Sequence, residues 1–345
     1  MDDVLTEQFV RNAWSVAAWD FEVEPGKVHA RRILGEDVAL YRDAQGKVVA
    51  MVDRCCHRLA PLSRGQVEAG NLRCMYHGLL FDPSGRCIEV PQMAKPPRAL
   101  TVRTFPVVER DRYIWIWMGD AERADTALVP DAHWQVDPAW RSIPGYVHYE
   151  AANYLLIMDN LLDFSHLGFV HATTLGGGRS ADIKPKIERF DWGVRVTRWY
   201  LNDDLPPFLA KVARFRGPVD RWQVYEWHAA NNLLSMDSGS APARTGAPEG
   251  HIVPEACVFH SVQSLTPESA TSTHYFWTFA HNFELDNAAI TRELADQIEI
   301  GFGEDKAMIQ AQQQVILDHP HAKMTGIPAD AALHHVRQLI GKLLV

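Results

Sequence analysis

Cys55-Cys56-His57 and, after sixteen intervening residues, Cys74-Met75-Tyr76-His77 form the stretch on which the fold turns. The order is Cys-x-His followed by Cys-x-x-His, so each loop offers one thiol and one imidazole. Two thiolates and two imidazoles can close a tetrahedral zinc centre, or hold two irons of which one takes the histidines and the other the cysteines. Zinc ligands more often arrive in like pairs, and the alternating order here favours the two-iron arrangement. Gly78 follows the second pair, and Asp82-Pro83-Ser84-Gly85 supplies a turn just beyond it.

Short β-branched and aromatic runs surround these loops: Val38 to Tyr41, Val48 to Val52, Gly78 to Phe81 and Tyr113 to Trp117. Residues 1–120 therefore read as a small all-β domain. The chain turns polar between Gly119 and about Pro144, where a domain boundary is expected, and residues 121–345 read as an α+β domain. That half has a helical stretch near 153–168, strands at 194–200 and 273–278, and a long helix near 288–318. The Ser-, Ala-, Pro- and Gly-rich piece from Gly239 to Gly250 reads as a mobile loop.

A length of 345 residues agrees with two domains. The formal charge of −9 argues against a phosphate backbone or an anionic membrane surface as partner. No apolar run reaches the roughly 18 residues of a membrane-spanning helix. The acidic start Met1-Asp2-Asp3 is unlike a signal peptide and leads to the expectation of a cytoplasmic protein. Five cysteines, an odd number, do not make a disulfide framework; Cys87 and Cys257 read as packing residues.

A second constellation begins at Asp159-Asn160-Leu161-Leu162-Asp163 and continues through His166 to His171. On a helix Asp163 and His166 share a face, as do Asn160 and Asp163. His171 would lie about 140° from His166, so both can face one point only if the chain leaves the helix near Gly168. In the long helix Leu294, Ile298, Phe302, Ile309 and Ile316 make one apolar stripe, and Asp305 falls on it. A carboxylate on a core face needs an ion-pair partner, such as Lys306 or an arginine, or a bound cation. With His166 and His171 it would complete a two-histidine, one-carboxylate face that leaves about three positions of Fe(II) open. Glu299 and Glu304 lie off the stripe and are expected to be solvated.

With Asn12-Ala13-Trp14, Leu265-Thr266-Pro267-Glu268 and Glu304-Asp305-Lys306, these blocks make the chain resemble the alpha subunit of Rieske non-haem iron aromatic ring oxygenases. The likeness is to the vanillate O-demethylase and dicamba demethylase kind. The resemblance implies an N-terminal all-β Rieske 2Fe-2S domain and a C-terminal helix-grip type catalytic domain with a curved antiparallel sheet. It makes Cys55, His57, Cys74 and His77 the cluster ligands and His166, His171 and Asp305 the ligands of a mononuclear Fe(II). Asp163 becomes the acidic bridge between a cluster histidine and an iron histidine, with Asn160 close to the iron. Cys56 stands where the family commonly has proline.

The resemblance further implies a head-to-tail homotrimer, dioxygen as oxidant and an NADH-dependent flavin/2Fe-2S reductase. Gly176-Gly177-Gly178 lacks the spacing of a dinucleotide fingerprint, in keeping with a separate reductase. The implied activity is monooxygenation, with O-demethylation of a vanillate-like methoxylated aromatic acid first. Methyl hydroxylation of an aryl sulfonate and ring dihydroxylation of a phthalate-like acid are the alternatives at the same site. A Rieske-type electron carrier and a zinc-stapled binding protein are the readings from other classes. Asn231, Asn232, His260 and Trp277, on or near strands of the sheet, are candidates for lining the substrate pocket.

Overall fold

The computed structural model describes residues 8–172, 174–175, 183–210 and 212–344. The acidic start and Gly176 to Gly178 lie outside them. Two compact units emerge. One is Phe9–Asp131 with Thr266–Ala270; the other comprises Ala132–Leu265 and the chain from Thr271 onward.

The first unit is built from β1 (Trp14–Trp19), β2 (His29–Ile33), β3 (Glu36–Arg42), β4 (Val48–Val52), β5 (Gln66–Glu68), β6 (Asn71–Arg73), β7 (Leu80–Phe81), β8 (Cys87–Glu89), β9 (Thr104–Phe105), β10 (Val107–Arg110) and β11 (Tyr113–Trp117). Among the described residues they make three small sheets, ordered β1-β11-β10, β2-β3-β4-β9 and β5-β6-β7-β8. Every residue of β1, β4 and β11 is buried, which is why those runs carry no polar alternation. Trp14 and Trp117 meet edge to face at 5.6 Å.

This unit extends past residue 120 to Asp131. Asn12 Oδ1 accepts from the Asp120 amide, and the Trp14 indole donates to the Asp125 carbonyl. Asp120 and Asp125 each cap a short turn, so the polar stretch is tied down instead of linking freely. Thr266–Ala270 joins the same unit because Leu34 and Gly35 donate to Pro267 and Glu268, and Thr266 Oγ1 donates to Val16.

The second unit holds β12 (Arg141–Tyr149), α1 (Tyr154–Leu162), α2 (Leu167–Val170), β13 (Lys186–Arg189), β14 (Gly193–Asp203), α3 (Pro207–Ala210), β15 (Val219–His228), β16 (Leu233–Pro242), β17 (Cys257–Pro267), β18 (Thr273–His281), α4 (Ala288–Asp318) and α5 (Ala331–Leu343). Its strands form one sheet ordered β12-β18-β17-β16-β15-β14-β13, antiparallel at β12–β18 and from β17 through β13. The expected loop at Gly239 begins inside β16: Ser240 and Ala241 are buried. Gly239 is required there, since a Cβ would stand 2.2 Å from the ring of its cross-strand partner Trp222.

Phe302 of α4 packs against Tyr275, Trp277 and Phe279 of β18, at ring separations of 5.2, 5.3 and 6.4 Å. The apolar stripe is buried at Leu294, Ile298, Phe302 and Ile309, after which Gln313 replaces Ile316 as the buried residue. Two backbone amides just before α1 fix the sliding position of α4. Ala151 donates to Gln310 Oε1 at 3.3 Å and Asn153 to Gln313 Oε1 at 2.9 Å. Among the described residues no helix is long and apolar enough to cross a membrane.

Candidate functional site

α1 does not continue to residue 168. It stops at Asp163, whose backbone leaves the helical region at φ −120° and ψ 95°. The Asp163 carboxylate accepts from the Ser165 amide at 2.9 Å and the Ser165 hydroxyl at 2.8 Å, starting a separate short turn over Phe164–His166. α2 follows, and His171 closes it. Breaking the helix at Asp163 removes the rotational offset of a continuous helix, and the two imidazoles come together with ring centroids 5.2 Å apart.

Asp305 approaches them from α4. Its Oδ1 lies 3.5 Å from His166 Nε2 and 3.1 Å from His171 Nε2, and one ligand atom from each residue falls within 4.8 Å of the others. The outer nitrogens are already engaged. His166 Nδ1 donates to the Asp163 backbone carbonyl at 2.6 Å, and His171 Nδ1 donates to Glu304 Oε2 at 2.8 Å. Both Nε2 lone pairs are thereby aimed at one point. Asn160 Nδ2 donates to Asp305 Oδ1 at 2.9 Å and lies 3.5 Å from His166 Nε2.

The three residues fit a divalent cation. His171 Nε2 is buried without a hydrogen-bond partner, and Asp305 is only 4% exposed. Lys306 pairs with Glu150 instead, so among the described residues the ion-pair partners of Asp305 are the two histidines. Such a carboxylate is costly to bury unless a positive charge sits at the convergence point. Burial lowers the pKa of His166, whereas at His171 the neighbouring Asp305 and Glu304 outweigh burial and raise it.

Two expectations need correction. Glu304 is not merely a solvated acid: half-buried, it holds His171 and also accepts from Thr174 Oγ1 at 2.8 Å. The Asp163 carboxylate does not touch His166; the backbone carbonyl does, while the carboxylate is held by Ser165 and lies 3.9 Å from Arg198.

In the first unit the two Cys/His loops share one backbone plan. Cys55 N donates to Ala60 O and Leu59 N to Cys55 O; likewise Cys74 N donates to Leu79 O and Gly78 N to Cys74 O. The equivalent residues Leu59 and Gly78 are both left-handed, with φ of 60° and 76°. Glycine is needed at the second position, where a Cβ would meet Pro91 at 2.8 Å. Cys55 and Cys74 are buried; His57 is exposed and His77 half-buried, their rings 4.6 Å apart. Burial pushes the Cys55 thiol up to about 12, with Cys74 beside it adding to the shift. The quartet is not among the sets whose ligand atoms all lie within 4.8 Å. An inner sulfur pair and an outer imidazole pair fit a two-iron cluster better than one zinc ion.

A cavity of about 100 Å³ opens directly onto Asn160, His166, His171 and Asp305. Phe164, Phe259, Phe279 and Phe302 supply aromatic walls, and Gln223, Ser238 and Gln263 supply the polar groups of the sheet. The walls are mostly apolar and aromatic, with few polar groups among them, as in sites that take a flat apolar body with one polar end. A larger cleft of about 780 Å³ near Arg214 and Asn287 is lined by none of the three ligand residues.

None of Asn231, Asn232, His260 and Trp277 lines the cavity. Asn231 and Asn232 make the turn between β15 and β16, where Asn232 takes a left-handed φ of 47°. Phe259 faces inward, so its neighbour His260 points to the other side of β17 and stacks on Trp134 at 4.3 Å. Trp277 lies across Gly145, where a Cβ would meet its ring at 2.0 Å.

Residues 13–106 match the family described as Rieske [2Fe-2S] domain, and residues 151–345 match the vanillate O-demethylase oxygenase C-terminal domain. The chain is 48% identical to the toluene-4-sulfonate monooxygenase system iron-sulfur subunit of Comamonas testosteroni, covering 97% of each. It is 37% identical to the oxygenase component of dicamba O-demethylase from Stenotrophomonas maltophilia, covering 88% of each. The crystal structure of dicamba monooxygenase bound to dicamba superposes with a TM-score of 0.88 at 34% identity, over 98% of both chains.

Proposed function

The chain belongs to the vanillate O-demethylase family of Rieske oxygenases, and from that premise we propose that it oxidises the methyl group of a single-ring aromatic acid, with an aryl sulfonate as the leading substrate class. It is an oxidoreductase of the monooxygenase type with a Rieske 2Fe-2S cluster and a mononuclear iron as cofactors. The observation that carries the proposal is the aromatic-walled cavity ending on His166, His171 and Asp305.

Cys55 and Cys74 would hold the inner iron of the cluster and His57 and His77 the outer one; His166, His171 and Asp305 would hold the mononuclear iron. When bound, these groups supply dioxygen activation with relayed electrons, one oxygen atom going to the methyl carbon and the other to water. The side chains do the rest. Three ligands on one face would leave about three positions for dioxygen and substrate, and the cavity is lined by the same three residues. The four phenylalanine rings exclude water and hold the flat ring. Asn160 steadies the Asp305 carboxylate, Glu304 holds His171 in the neutral tautomer with Nε2 free, and the Asp163 carbonyl does the same for His166.

The balance is ArCH3 + O2 + NADH + H⁺ giving ArCH2OH + H2O + NAD⁺, with electrons passed through a separate NADH-dependent reductase. A homotrimer in which Asp163, its backbone carbonyl on His166, stands at the junction with a neighbouring subunit suits that relay. O-demethylation is the second reading, favoured by the likeness to dicamba O-demethylase; insertion at a methoxy carbon gives a hemiacetal that falls apart to a phenol and formaldehyde. The test is the holoenzyme with a reductase, offered methyl-substituted aryl sulfonates, aryl methyl ethers and phthalates. An alcohol from the sulfonate is expected, formaldehyde from an ether supports the second reading, and a cis-dihydrodiol as sole product rejects both.

A further inference from the structure

We propose that Gln223 and Ser238 form the subsite that takes the acidic group of the substrate, and that this subsite prefers a sulfonate to a carboxylate. The proposal rests on the cavity being the substrate site. Gln223 of β15 and Ser238 of β16 are direct cross-strand partners, and both line the cavity. The Tyr200 hydroxyl donates to Gln223 Oε1 at 3.0 Å, which leaves the two N–H groups of that cavity-lining amide to donate to a ligand. Gln263, on the same wall, has less to offer: Oε1 accepts from the Tyr275 hydroxyl at 2.6 Å and Nε2 spends one of its two N–H groups on Ser261 Oγ at 3.0 Å.

The donors on offer are therefore neutral: amide N–H groups and a hydroxyl. Among the described residues no lysine or arginine lines the cavity. Arg198 continues the same cross-strand row, paired with Gln223, but its guanidinium is turned to the Tyr225 hydroxyl at 2.6 Å and towards Asp163. A carboxylate concentrates its charge on two oxygens and is costly to desolvate without a cation. A sulfonate spreads the same charge over three weakly basic oxygens, which neutral donors can satisfy. Gln223 and Ser238 come from β15 and β16 while the candidate metal ligands come from α4 and the turns after α1, so the two sets enter the cavity from different elements.

Equilibrium binding to the holoenzyme by calorimetry tests this without turnover, using 4-methylbenzenesulfonate, 4-methylbenzoate and p-xylene as probes. Wild type should bind the sulfonate more tightly than the benzoate. Gln223→Leu should weaken sulfonate binding about tenfold and Ser238→Ala about threefold, with p-xylene unaffected and the cluster absorbance intact. If Gln223→Leu also loses p-xylene, the Ser238→Ala result decides. Unchanged sulfonate binding in both variants, or in Ser238→Ala alone in that case, overturns the subsite while leaving methyl oxidation standing. Tighter binding of the benzoate overturns the preference. Failure of every probe to bind wild type overturns both the subsite and the proposed function.

Discussion

His171 Nδ1 and Glu304 Oε2 are 2.8 Å apart, so the residue directly before Asp305, the proposed metal ligand, grips the histidine that Asp305 faces. A carboxylate behind an imidazole fixes its tautomer and raises its basicity as a ligand. Glu304→Ala should lower iron affinity about 10- to 100-fold, with the loss smaller in Glu304→Gln, which keeps an acceptor. Chelator competition measures this, and the cluster absorbance should not move. Equal affinity in wild type and Glu304→Ala would show that the contact does not act on the metal.

Metal and acid-labile sulfide analysis should find three irons and two sulfides per chain. Cys74→Ser should bleach the cluster, and His171→Ala should keep the colour while losing one iron. A colourless wild type containing only zinc contradicts the assignment of both sets of ligands.

Asp163→Asn should retain both metals, because the group it contributes to His166 is a backbone carbonyl. Most turnover should be lost if the carboxylate links a cluster histidine of a neighbouring subunit to the iron site. Full turnover in that variant, with metals in place, would leave the carboxylate with only the local task of capping the Phe164–His166 turn.

Glu22 offers a pH test of the first unit. Burial pulls its carboxyl upward, but Arg31, at 2.9 and 3.2 Å, and the Trp19 amide, at 2.7 Å, outweigh it and hold the pKa below its ordinary value. A depressed carboxyl stabilises the fold above its unfolded value of about 4.3, and the contribution disappears as pH falls through the lower folded value. Glu22→Gln should therefore cost about 1–3 kcal/mol at neutral pH, with the difference from wild type shrinking below about pH 4. The thermal midpoint of cluster bleaching against pH reports it.

The helix carrying Asp305 was legible because its apolar residues keep the helical period over many turns, and a single acid on that stripe stands out. Glu304 was not, since a periodicity of apolar residues says nothing about the neighbour one step around the helix. The break at Asp163 is written in Asp163-Phe164-Ser165, a side chain that can bond two residues ahead, but the apolar run on either side reads as continuous helix. The pocket was misplaced for a parity reason: one step along β17 separates Phe259 in the cavity from His260 outside it. β15 carries Trp222, Gln223, Val224 and Tyr225 in succession, with no polar and apolar alternation to mark Gln223 as inward.

Gln310 and Gln313, caught by the amides of Ala151 and Asn153, turn α4 into a ruler. The distance from Asp305 to Gln313 is stored as an interval of eight residues, and adding or removing one would turn the carboxylate about 100° away from the histidines. Length drift among descendants of this chain is therefore cheap in the connections between strands and prohibitive inside that octet. Within it, the spacing itself is part of the proposed iron site.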